Sequence, residues 1–304
     1  MTHAGTVTVS GGGNVTPAKR LIMMGRKPKN VQPISNLPIE AKVKSPNTKY
    51  NGVPIIWLIG HTTADRVKLI TEKIITLKCF DAKESRNPDS NRKNYGNNRY
   101  SQSNIDQWLN SAAGAGTWYS EQHAYDEPPN DANVMSGYNE YDAEAGFLAN
   151  FEERFRNAIL DTTIRVVKNI VTNDGEYEDI TRKVYLLSNT EVGLPNEKGI
   201  AEGSKWDLFS DDNSRKAYPT AEAVSRSEYK SGNLSASSPW RWWLRTPNAT
   251  NTSLVREVTI DTLPNTYAYV GTRGVRPALE LPLTVMVSDT PDEDGAYIIR
   301  WRDN

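Results

Sequence analysis

Histidine and cysteine are nearly absent from this chain: its 304 residues include three histidines, His3, His61 and His123, and one cysteine, Cys79. A lone thiol excludes an intrachain disulfide and any multi-cysteine metal site. Cys79 lies among Ile74, Ile75, Leu77 and Phe80, so it reads as a small buried hydrophobe. No His-x-x-x-His or His-Glu pairing offers itself to zinc, and no Gly-x-Ser-x-Gly elbow to a serine hydrolase. Carboxylates are plentiful, but no pair is singled out for hydrolysis.

An excess of one charge is missing too, with 36 Lys and Arg against 37 Asp and Glu. Without a net field, nucleic acid and anionic membrane are not expected partners. No apolar run is long enough to span a bilayer, and the N-terminus lacks the basic-then-apolar order of a signal peptide. The protein is therefore expected to be made in a cytoplasm and to leave, if it does, by a route such as lysis with a phage particle. Four Asn-x-Ser/Thr matches, at Asn14, Asn233, Asn248 and Asn251, then read as loop composition.

What is present is aromatic surface. Only 37% of residues are hydrophobic and the mean hydropathy is -0.63, yet there are fourteen Tyr and eight Trp beside five Phe. Residues that join contact area to a polar handle suit irregular cores and recognition surfaces. Three of the tryptophans fall in Trp240-Arg241-Trp242-Trp243. On a strand, alternation sends Trp240 and Trp242 to one face and Arg241, Trp243 and Arg245 to the other.

Residues 1–36 read as an anchoring arm: a possible short strand at 6–9, a Gly11-Gly12-Gly13 joint, and a basic run of Lys19, Arg20, Arg26, Lys27 and Lys29. Such a segment buries too little to order alone. A body follows over 37–282, then a β tail over 283–304 with Asp292-Glu293-Asp294-Gly295 as a hairpin turn. Within the body, strands are expected at 53–59 after Asn51-Gly52, and at 67–77. The polar stretch 83–103 reads as a long exposed excursion. Ser103 caps a helix carrying Ile105, Trp108 and Leu109, closed by Gly114 and Gly116. A second helix follows Asp142, with Phe147, Leu148, Phe151, Phe155 and Ile159 along one stripe. Asn173-Asp174-Gly175 marks a hairpin, Ser188 and Glu191 have the spacing of a capping box, and 220–229 suggests a short helix. Short strands are expected at 240–245, 254–260, 266–270 and 275–281.

Several of these segments match together. The order Leu186-Leu187-Ser188-x-x-Glu191, Ser237-Ser238-x-Trp240-x-Trp242-Trp243-Leu244-Arg245-Thr246-Pro247 and Gly274-Val275-Arg276-Pro277-Ala278-Leu279 resembles a family of uncharacterised domains common in Gram-positive bacteria, their phages and prophages. Tyr95-Gly96-Asn97-Asn98-Arg99-Tyr100 and Asn104-Ile105-x-x-Trp108-Leu109 resemble it as well, so the likeness covers about 37–282. The Trp-Leu-Arg and Gly-x-Arg-Pro-Ala elements are similar to those of the C-type-lectin-like superfamily, which includes formylglycine-generating enzymes and phage receptor-binding proteins. The resemblance implies an α+β, C-type-lectin-like fold: two small antiparallel sheets, two flanking helices and long loops, here with an extended N-terminal arm.

The enzymes of that superfamily use a cysteine pair, which one cysteine cannot supply, so no catalytic residue is assigned. Calcium-binding lectins use Glu-Pro-Asn and Trp-Asn-Asp elements. Glu127-Pro128-Pro129-Asn130 is off that pattern, Trp-Asn-Asp is absent, and Asp211-Asp212-Asn213 reads as a solvated turn. No metal or cofactor is expected.

In the resembling fold the loops at 248–252 and 261–273 face outward. Trp243, Asn248, Asn251, Arg256, Tyr267, Tyr269 and Arg273 are therefore the expected ligand-binding surface, although Arg256, Tyr267 and Tyr269 would equally serve as ordinary strand residues. Glu191, Trp240, Trp242, Arg245, Gly274, Arg276 and Pro277 are expected to be structural. Arg245 and Arg276 lie on apolar strands and need partners if buried, and Glu191 is expected to pair with one of them. The resulting expectation is a non-enzymatic virion protein of a phage or phage-like particle. It would be held to other virion proteins by residues 1–36, present as a homo-oligomer or in repeated copies in an assembly, and bind host cell-wall carbohydrate or a surface protein at the tail or baseplate. A capsid-decorating protein and a bacterial surface adhesin are the alternatives.

Overall fold

β-branched runs broken by Asn-Gly and Asp-Gly turns leave this chain little choice but sheet. The computed structural model describes residues 30–259 and 264–301, and in it they form a mixed α+β body of mostly sheet. The strands are β1 Val31–Pro33, β2 Lys42–Tyr50, β3 Val53–Thr62, β4 Arg66–Thr71, β5 Thr76–Lys78, β6 Thr162–Val167, β7 Tyr177–Arg182, β8 Val184–Tyr185, β9 Trp242–Pro247, β10 Leu254–Val258, β11 Asn265–Tyr267, β12 Arg273–Val275, β13 Ala278–Pro282, β14 Met286–Ser288 and β15 Ala296–Arg300. The helices are α1 Ser90–Tyr95, α2 Asn104–Leu109, α3 Glu153–Ala158 and α4 Ala221–Arg226. Each has six residues, too short to persist without tertiary packing.

The strands make an eight-stranded sheet in the order β1-β14-β15-β2-β3-β4-β13-β8, a five-stranded sheet β11-β10-β9-β12-β5, and the separate hairpin β6-β7. This departs from two small antiparallel sheets. One sheet is large, a third stands apart, and β15 on β2 and β12 on β9 are parallel pairs.

The two larger sheets are joined by one bent ribbon. Expected single strands at 67–77 and 275–281 are each two strands, because the chain changes sheet in the middle. β4 pairs with β13 in the large sheet, and β5 pairs with β12 in the smaller one. The bend falls at Arg276-Pro277, where proline has no N–H for the ladder. Here the Arg276 side chain takes over, its Nε donating to the Thr71 carbonyl at 2.8 Å and Nη2 reaching the Glu72 carbonyl at 3.4 Å. Gly274, beside the bend, lies so close to Ile74 that a Cβ would come within 2.7 Å of its side chain.

Arg276 is buried over the Trp242 ring, with Nη1 unpartnered, and among the described residues no carboxylate pairs with it. The expected ion pair is therefore absent at this arginine, and burial pulls its guanidinium down to about 10. Removing the charge relieves that desolvation while costing one good hydrogen bond. Arg276→Met is expected to shift unfolding stability by no more than about 1 kcal/mol. A urea titration showing a loss above about 3 kcal/mol would assign Arg276 an energetic role that these contacts do not explain.

Other expectations need correction. β1 pairs with β14 and Ile34 is fully buried, so the body has begun by residue 31 and not at 37. The segment after 283 is no separate tail: β14 and β15 do form a hairpin, but β15 continues the large sheet beside β2. The arm's strand at 6–9 and its basic run lie outside the described residues.

The stretch 83–103 is no exposed excursion. Glu84, Asn97, Asn98, Tyr100 and Ser103 are buried, because their polar groups are satisfied within the fold. Ser103 does cap α2, accepting from the Asp106 N–H, but the helix stops at Leu109. Asn110 ends it by accepting from the N–H groups of Lys183 and Val184. The phenylalanine stripe is not one helix but a 3-10 turn, Phe147–Asn150, an extended Phe151, and α3. Its rings still touch, with centroids 5.0 Å and 5.5 Å apart. Ser188 and Glu191 make both capping-box bonds, although only a single turn follows.

Candidate functional site: a tyrosine patch over a buried ion centre

The loop 248–254 owes its shape to two buried asparagines. Asn98 Nδ2 donates to the carbonyls of Asn248, Asn251 and Leu254 at 3.2, 2.7 and 2.9 Å, while its Oδ1 accepts from Asn169 Nδ2 at 3.0 Å. A third tie comes from Asp89, the N-cap of α1, whose Oδ1 also accepts from Thr252 Oγ1 at 3.0 Å. α1 therefore cannot move independently of this loop.

α1 ends at Tyr95, followed by Gly96 at φ +81° with the Asp81 carbonyl 2.6 Å from where a Cβ would stand. Only glycine fits there. The Tyr269 N–H donates to the Tyr95 carbonyl at 2.9 Å, and Phe80 and Asp81 both donate to the Ala268 carbonyl. These bonds bring three tyrosines together at the surface. Tyr95 and Tyr267 stack with centroids 4.0 Å apart and planes at 18°, and Tyr269 meets Tyr95 edge-on at 5.6 Å and 63°. Tyr267 is 38% exposed, and Tyr95 and Tyr269 are half-buried. Burial, with the neighbouring Tyr95 and Tyr267 rings, raises the Tyr269 phenol above its ordinary value.

Of the seven residues expected on the ligand surface, the structure brings Tyr267 and Tyr269 together there and engages the rest elsewhere. Trp243 is fully buried, its Nε1 donating to the Lys78 carbonyl at 2.9 Å, because its face of β9 packs against Phe80. Asn248 Oδ1 accepts from Thr250, and Asn251 Oδ1 from Ser253 and Leu254, so both shape their own loop. Arg256 pairs with Glu197. Arg273 pairs with the buried Glu257 and also donates to Thr266 Oγ1 and Thr272 Oγ1.

Tyr95 was missed as a site residue, although it stands in a motif the sequence singles out. Its signal is the pairing of an α1 C-terminus with a glycine that must take positive φ.

The profile of a family described as "Domain of unknown function (DUF6273)" matches residues 65–283. The chain belongs to the DUF6273 family. No curated protein matches it, and no solved structure does. The matched span of the DUF6273 domain takes in the bent ribbon and all three tyrosines, and leaves out β1 to β3 and the β14-β15 hairpin.

Elsewhere in the DUF6273 domain, the motif residues meet in a buried ion centre. Arg245 is fully buried; its Nη1 donates to Glu191 Oε2 at 2.5 Å and the Leu186 carbonyl at 2.9 Å, Nε to the Arg165 carbonyl, and Nη2 to the Glu202 carbonyl. The expected Glu191 partner is therefore Arg245. Glu202, which no motif marked, is also fully buried and accepts from the Val167 N–H and Thr246 Oγ1. Burial raises its carboxyl to about 7, against the opposing pull of Arg245 and these donors.

A second polar centre underlies α1. Asp81 accepts from the N–H groups of Asn97 and Asn104, Glu84 pairs with Arg92 and lies 2.8 Å from His123 Nε2, and Asp126 accepts from Asn104 and Gln122. Burial, then repulsion from Asp126 and Glu84, holds Asp81 well above the usual carboxylate range. Among the described residues no group of three or more His, Cys, Asp or Glu is placed to hold a metal ion. Asp211, Asp212 and Asn213 are exposed, as a solvated turn should be.

Proposed function

We propose that this protein is a non-enzymatic recognition module that binds a host-surface ligand through Tyr95, Tyr267 and Tyr269. The observation that carries this reading is the convergence of those rings, from α1 and from the β11 region, onto a backbone frame already fixed by Asn98 and Gly96. Rigid aromatic groups bind at little entropic cost, and tyrosine offers a hydroxyl beside its ring. A stacked ring face suits the C–H face of a sugar or an apolar protein side chain.

The wider reading is a virion protein of a phage or phage-like particle, displaying this face at the tail or baseplate and anchored through residues 1–36. Its support is the likeness of the Trp-Leu-Arg and Gly-Val-Arg-Pro-Ala segments to domains of Gram-positive bacteria and their phages. The accompanying C-type-lectin-like fold is supported by the same segments and by the long irregular connections between the sheets.

The test is sedimentation of the full-length protein with Gram-positive cell-wall preparations. Tyr95→Ala/Tyr267→Ala is expected to bind at least about tenfold more weakly, which is roughly 1.4 kcal/mol, with an unchanged melting temperature. Binding equal to that of the unaltered protein would sink the tyrosine reading.

A further inference from the structure

A second concave surface lies away from the tyrosines, where the β6-β7 hairpin meets α2. The hairpin belongs to neither large sheet and is tied down by Arg99 to Glu178, by Arg182 to Asp106, and by Asn110 to the backbone of Lys183 and Val184. Between these ties is a cleft of about 520 Å³. We propose that this cleft is a ligand site for a neutral, hydroxyl-rich small molecule of the size of one or two saccharide units.

The charges decide the class of ligand. Asp106 is buried, and both its oxygens take Arg182 Nε, at 2.9 and 2.8 Å, with Nη2 2.7 Å away. At the rim Lys183 Nζ stands 3.3 Å from Asp161. Each cation in the lining thus has its own carboxylate, so neither an anion nor a cation gains by entering. What the lining offers is donors and acceptors in mixture. Arg182 Nη1 donates to the Thr181 carbonyl, which leaves an N–H on each terminal nitrogen of this partly exposed guanidinium with no acceptor among the described residues. Gln122 lines the rim, its Nε2 held by Ser120 and its amide oxygen adding an acceptor. A polyol has hydroxyls that donate and accept in turn.

The cleft is also stiff where it must be. The Asp106–Arg182 pair is fixed from both sides, since Asn110 Nδ2 donates to the Asp106 carbonyl at 3.0 Å and its Oδ1 holds the start of β8. A guanidinium held in place before binding loses little freedom when a ligand arrives.

This inference stands apart from the tyrosine reading, and one experiment separates them. Full-length protein is titrated by ligand-observed NMR with glucose, galactose, N-acetylglucosamine, sucrose and glucose 6-phosphate at up to about 10 mM, enough to occupy a millimolar site. Thr181→Trp and Gln122→Trp each place an indole in the cleft from an exposed lining position, with folding checked by far-ultraviolet dichroism and melting temperature. The expected result is binding of at least one neutral sugar that both variants weaken at least about tenfold and that Tyr95→Ala/Tyr267→Ala leaves unchanged. The proposal is overturned if no neutral sugar binds, if only the phosphorylated sugar does, or if binding is lost with the tyrosines and kept in the filled clefts.

Discussion

Glu191→Ala is expected to lose about 3–5 kcal/mol of unfolding stability, the usual cost of stranding one member of a buried ion pair. Arg245 is fully buried and Glu191 is the carboxylate it touches, so the variant leaves a buried guanidinium without that partner. The loss should not be constant with pH. Glu202 stands in the same centre with its carboxyl raised to about 7; below that pH it is protonated and cannot replace Glu191, and above it the ionised carboxylate can. Urea midpoints at pH 5 and pH 8 should therefore show a larger destabilisation at pH 5. An equal loss at both would mean that Glu202 does not compensate.

Glu202 also gives the unaltered protein a distinctive pH dependence. One guanidinium lies between two buried carboxylates, and the second is kept protonated more readily than in the unfolded chain. A group with a raised folded pKa takes up more protons when folded. Its contribution is complete below the unfolded value of 4.5 and falls away as the pH climbs to about 7. The buried Asp81 shifts in the same direction. Between pH 4.5 and 7, stability should fall by about 3 kcal/mol from Glu202 alone. In Glu202→Gln that part of the slope should vanish, because the amide stands in for the protonated acid. A variant with the full slope would place the titrating group elsewhere.

The strands were mostly legible in the sequence because β-branched runs and turn residues are local signals. Three features were not. The bent ribbon was invisible because Arg276-Pro277 breaks a run whose apolar pattern continues on both sides, and the change of sheet is decided by tertiary pairing. The phenylalanine stripe kept helical spacing but not helical backbone, since Phe147, Phe151 and Phe155 need only reach the same cavity. The polar stretch 83–103 was misread because hydrophilicity was taken for exposure. Asn97, Asn98 and Glu84 are bonded inward, Asn98 to a partner 156 residues away. The site followed the same rule. Tyr267 and Tyr269 are close in sequence, whereas Tyr95 joins them through a long-range contact. The ion pairs of Arg256 with Glu197 and of Arg273 with Glu257 were not legible, because neither glutamate carries a signal in sequence that marks it as a partner.

The order of strands in the large sheet has a consequence for synthesis. β2, β3 and β4 emerge from the ribosome early and can pair as a meander, but β2 must wait for β15 and β4 for β13, while β1 waits for β14. At about 5–20 residues per second, that delay is on the order of tens of seconds. During it both edges of the nascent meander are open to other strands. The final assembly step is the insertion of β13 to β15, so residues as far as 300 must clear the exit tunnel before the sheet can close.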